Sequence, residues 1–106
     1  MLADQLLADP AFKAIVDRFI AEVPDRLRNL EAAIGENNHG EARRLAHQLK
    51  GAGGSFGFPA ITNAASGVED ACMTCDIGGD LEALMDQLEA TCNAVIADWS
   101  AKSAAS

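Results

Sequence analysis

ARRLAHQLKGAGGSFG, residues 42–57, combines a helical repeat of apolar residues with more glycine than a helix favours. With Leu49 set at zero and about 100° per residue, Ala42, Leu45, Ala52 and Phe56 fall within about 60° of it, centred about 20° to the side away from Lys50. That stripe predicts a helix packed on a core. His47 falls at about 160°, opposite the stripe, and so is expected in solvent. Arg43, Gly51 and Gly54 lie within about 40° of His47, and Lys50 and Arg44 flank it within about 60°. Gly51 and Gly54 together should weaken the helix by about 2 kcal/mol relative to alanine, so local stability does not explain them. Clearance around the imidazole does.

Working outward, every other long segment also reads as helix. Asp9 before Pro10 forms a helix start, and Phe12, Ile15, Val16, Phe19, Ile20 and Val23 follow at helical spacing. Pro24 is expected to kink the chain or begin a second helix, in which Leu27, Leu30 and Ile34 continue the stripe. The turn GENNHG leads to a third helix near Glu41. Pro59 opens a fourth with Ile61, Ala64, Ala65, Val68, Cys72 and Cys75 inward. After the turn DIGGD, Asp80 can cap a last helix carrying Leu81, Leu84, Leu88, Cys92, Val95 and Trp99 inward, with Trp99 at the far end and its indole N–H near solvent. The expected fold is all-α: an antiparallel up-down-up-down four-helix bundle with a short additional N-terminal helix over one end. One domain is expected over 1–106, with its core at about 10–98 and a frayed tail at 100–106.

Composition agrees. Hydrophobic residues make up 49% of the 106 residues but aromatics only 5%, which favours close-packed helices over a β-sandwich. No apolar run approaches the roughly 20 residues that span a bilayer, and the N-terminus lacks the pattern of a secretory signal, so a cytoplasmic protein without membrane contact is expected. The three cysteines suit a reducing compartment. A net charge of −8 argues against nucleic acid as a partner. Residues 42–57 nevertheless contain Arg43, Arg44 and Lys50 and no acid, a basic spot suited to a small anion. Neutral imidazole offers a nucleophilic nitrogen near neutral pH. Lys50, about one turn on, can pair with a phosphoryl oxygen, while Arg43 and Arg44 add attraction at longer range.

The run His47-Gln48-Leu49-Lys50-Gly51, followed by Gly54 and Gly57, resembles the His-x-Leu-Lys-Gly signature of histidine-containing phosphotransfer (HPt) domains. The Phe-rich first helix, the Pro-Asp-Arg-Leu start of the second and Val68-Glu69 after the signature also look like that family, and the similarity covers roughly residues 10–98. The resemblance implies a four-helix bundle whose exposed His47 takes a phosphoryl group from the phosphoaspartate of one receiver domain and returns it to another. It makes Lys50 the electrostatic neighbour, Gly51 and Gly54 the clearance residues, and receiver domains of response regulators and a hybrid sensor histidine kinase the partners. It implies no cofactor held by this chain and Mg²⁺ in the receiver. Nothing resembles an ATP-binding kinase domain, so a phosphotransfer protein without kinase activity of its own is expected. Arg43, Arg44, Gly51, Gly54 and Phe58 are expected to serve partner docking.

Three rival readings remain. A helical adaptor or inhibitor would bind a receiver or kinase without carrying phosphate. A kinase's own histidine domain would be phosphorylated by an ATP-binding domain in trans. A metal or redox module would use Cys72 and Cys75, but both fall on the apolar stripe, Cys92 alone does not complete four ligands, and core packing is the better reading. His39 lies in a polar turn and is assigned no role. Glu82, Asp86 and Glu89 form a solvated face. Each helix has one apolar stripe, so a monomer is expected.

Overall fold

The computed structural model describes residues 9–73 and 79–105, which contain four helices and no strand. They are α1 (Pro10–Gly35), α2 (His39–Ser55), α3 (Pro59–Met73) and α4 (Gly79–Ala105). Helix α2 packs on both α1 and α3, and α4 on both α3 and α1, which closes an elongated bundle of 44 × 21 × 18 Å.

Helix α1 begins as its sequence dictates. The Asp9 carboxylate accepts from the Ala11 and Phe12 N–H groups at 3.0 and 3.4 Å, with Pro10 in the first turn. The break expected at Pro24 does not occur; the two helices read on either side of it are one helix of 26 residues. Interior proline costs about 3 kcal/mol. Against that, Val16, Phe19, Ile20, Val23, Leu27, Leu30 and Ala33 form one continuous buried stripe through it, each larger side chain contributing about 1.5–3 kcal/mol. Pro24 itself sits on the solvent side. Ile15, read as inward, is half exposed. The short additional N-terminal helix read ahead of Pro24 is therefore not a separate element over one end of the bundle but the first part of α1.

Two matching turns set the entry and exit of α2. After α1, Asn37 takes a left-handed φ of 57°, its N–H reaches the Ile34 carbonyl, and the Asn38 N–H bonds the Ala33 carbonyl at 2.9 Å. After α2, Gly57 takes φ 81°, its N–H reaches the Gly54 carbonyl, and the Phe58 N–H bonds the Gly53 carbonyl at 2.8 Å. Both are helix-ending motifs that satisfy the last free carbonyls. The Asn38 side chain then caps α2 through the Glu41 N–H at 3.2 Å, so the helix starts two residues before the expected Glu41.

The second turn points Phe58 inward. Its ring stacks on Phe19 and meets Trp99 edge-on at 6.0 Å, tying α1, the α2–α3 turn and α4 together. Phe58 is therefore a core residue, only 8% exposed, and does not offer the docking area read for it. Trp99 is buried, and its indole N–H donates to Oδ1 of the partly exposed Asp17 at 2.7 Å. That hydrogen bond, with Lys13, holds the Asp17 carboxyl below its ordinary pKa. On α4, Leu81, Met85, Leu88, Cys92 and Trp99 are buried, while Leu84 and Val95 are only partly so. Helix α4 runs past residue 100 to Ala105, with a Lys102–Asp98 ion pair one turn apart. Cys72 and Cys92 are buried, and burial pushes the Cys92 thiol up to about 11. Cys75, the DIGGD turn up to residue 78 and the Asp80 side chain lie outside the described residues.

Candidate functional site

The buried residues of α2 are Ala42, Ala46, Leu49 and Gly53. With Leu49 again at zero they centre at about 30° on the Lys50 side, so the buried face is turned by about 50° from the one read in the sequence. Leu45, Ala52 and Phe56 become its half-buried margin. The cause is α3, the most extensive neighbour of α2. Gly53 lets the two backbones approach, because a Cβ there would meet Thr62 Oγ1 at 3.0 Å and Ile61 Cγ2 at 3.1 Å. The Thr62 hydroxyl fixes the contact by donating to the Lys50 carbonyl at 2.9 Å.

Close approach brings one carboxylate beneath the histidine. Glu69 of α3 places Oε2 at 2.6 Å from His47 Nδ1 and Oε1 at 3.0 Å from Lys50 Nζ. The Glu69 side chain is 9% exposed, while that of His47 is 68% exposed. Lys50 holds the Glu69 carboxyl below its ordinary pKa, against the upward push of burial and with help from His47. An ionised carboxylate only accepts hydrogen bonds, so in the neutral imidazole the proton sits on Nδ1 and the lone pair on Nε2. The ring is thus oriented with its unprotonated nitrogen pointing away from Glu69.

The other expected site residues arrange unevenly. Arg43 and Arg44 are exposed, and with Gly40, His47 and Glu69 they line a shallow depression of about 290 Å³. Arg44 Nε donates to Glu41 Oε1 at 2.6 Å. Gly51 is exposed, with nothing within 4 Å of where its Cβ would stand. Gly54 is also exposed, but its Cβ would touch Thr62 Oγ1 at 3.5 Å. Glu69 and Gly53 are the residues whose roles sequence reasoning missed. Glu69 had a signal: it lies one turn from Ala65 and Cys72 on the buried side of α3, where an acid needs a partner. His39 opens α2, and its Nδ1 is buried without a partner. Among the described residues no group of His, Cys, Asp and Glu is arranged for a metal ion, and no helix is long and apolar enough to cross a membrane.

Fold and site define a helical domain that presents one oriented imidazole to solvent. The model of the Hpt domain matches residues 14–98, most of the chain. The chain belongs to the histidine-containing phosphotransfer family, and so has a phosphotransfer role in two-component signalling. Comparison with curated proteins and with solved structures found no match.

Proposed function

We propose that His47 is the phosphoacceptor of a phosphorelay, taking a phosphoryl group from a receiver-domain phosphoaspartate and passing it reversibly to another receiver aspartate. The observation that carries this reading is the pairing of a solvent-facing imidazole with a buried carboxylate on Nδ1. In the transfer the Nε2 lone pair attacks phosphorus, the bond from phosphorus to the acyl oxygen breaks, and the aspartate leaves as a carboxylate. The Nδ1 proton stays on the ring, where Glu69 stabilises the positive charge that develops. Lys50, about one turn on from His47, holds Glu69 in place. Reversal regenerates neutral His47.

The partners are receiver domains of response regulators and a hybrid sensor kinase, acting in the cytoplasm; the chain needs no cofactor of its own, and Mg²⁺ belongs to the receiver. The bare surface at Gly51 and Gly54 admits the receiver, and Arg43 and Arg44 draw it in. Connections of three residues between α1 and α2 and between α2 and α3 support an up-down-up-down course for the bundle. One apolar stripe per helix supports a monomer.

Incubation with a phosphorylated receiver should place acid-labile phosphate on this chain, and His47→Gln should abolish it. Undiminished labelling of that variant rejects His47 as the acceptor.

A further inference from the structure

Three cations surround His47, and the structure separates them by what each already holds. Lys50 is bound to Glu69. Arg44 is bound to Glu41. Arg43 has no hydrogen bond or ion pair among the described residues, yet lines the same depression as His47. It lies four residues before His47 on α2, so the two side chains are neighbours on one helical face. Gly40 at the same depression leaves its floor open, with nothing within 4 Å of a Cβ there. Of the charges facing this space, Glu69 is offset by Lys50 and Arg44 by Glu41, which leaves one uncompensated positive charge, on Arg43.

We propose that the Arg43 guanidinium takes the phosphoryl oxygens as the group moves onto Nε2 of His47, and so sets the rate and extent of phosphorylation. The assignment rests on His47 as the acceptor and deepens that reading. A phosphoryl group presents oxygens bearing close to two negative charges, and a guanidinium offers paired N–H donors that match them, with charge-assisted bonds on both. The bond changes are those of the transfer step; Arg43 gains and loses no proton.

The experiment separates contact with the phosphoryl group from attraction of a partner by using two donors, a phosphorylated receiver and phosphoramidate, a small molecule with no docking surface. Arg43→Ala is expected to slow labelling of His47 by about fivefold with either donor, the size of one partly exposed charged contact. Arg43→Lys should recover part of the rate, and Arg44→Ala should change phosphoramidate labelling much less. Wild-type labelling of Arg43→Ala by phosphoramidate overturns the assignment, including the case where only receiver transfer slows, which makes Arg43 a docking charge. If the unaltered chain takes phosphate from phosphoramidate but from no receiver, the relay reading fails while Arg43 stands. If it takes none from either, the acceptor role itself falls, and the Arg43 assignment with it.

Discussion

At the scale of residues, the chemistry turns on Glu69, which does two jobs with one carboxylate. One oxygen fixes the proton on His47 Nδ1 and the other anchors Lys50. Glu69→Ala removes both, and transfer from a phosphorylated receiver should slow by roughly tenfold or more, the scale found for carboxylates that orient metal-bound imidazoles. Glu69→Gln keeps an acceptor but loses the charge and should fall between. Because Glu69 is more acidic folded than unfolded, its contribution to stability is fully present above the ordinary carboxylate range, about pH 4.3, and is lost as pH falls through its lower folded value. Urea melts should therefore show Glu69→Gln less stable than the unaltered chain at neutral pH, with the gap closing in acid. An equal gap at both pH values contradicts the ion-pair account. His47 was legible in the sequence because its position depends only on the period of its own helix. Its partner was not, because 22 residues separate them and only the crossing of α2 and α3 brings them together.

At the scale of elements, two glycines in α2 that look alike in sequence behave differently. Gly53 faces Ile61, which is fully buried and has no room to yield. Gly53→Ala gains about 1 kcal/mol of helix propensity but overpacks the α2–α3 contact by about 1–3 kcal/mol, so a net loss is expected. Gly51 faces open space, and Gly51→Ala should stabilise the protein by about 0.5–1 kcal/mol. If Gly51 is bare for a partner's sake, the same change should slow transfer from a receiver and leave phosphoramidate labelling alone. Thermal melts paired with both transfer assays test this, and a stabilised Gly51→Ala with unaltered receiver transfer removes the clearance role. Helix periodicity gave the existence of α2 and its facing to within about 50°, but not which glycine touches α3. Pro24 shows the same limit. Its local preference to break a helix is real, and only the burial along the whole of α1 overrides it.

At the scale of the molecule, Trp99 links parts that are far apart in the chain. Its ring meets Phe58 beyond α2, and its N–H reaches Asp17 on α1, 82 residues away. Trp99→Ala should cost about 3–5 kcal/mol and Trp99→Phe, which loses chiefly the hydrogen bond, about 1 kcal/mol, both by urea melts followed by circular dichroism. An alanine variant as stable as the phenylalanine one contradicts the role given to this cluster. The all-helical class was legible from composition and spacing. The aromatic cluster was only half legible: Phe58 follows a glycine-rich turn whose geometry turns it inward, which no count of apolar residues reports. Like charges also meet across the bundle, where a hydrogen bond to Glu89 and the charge of Asp86, both on α4, raise the pKa of Glu31 on α1.

The most direct test of the central claim is to see which atom carries the phosphate. ³¹P and ¹⁵N NMR of the chain phosphorylated by a receiver should show a single phosphohistidine at His47, joined through Nε2, with the proton retained on Nδ1. Phosphate on Nδ1, on His39 or on any other residue contradicts the account.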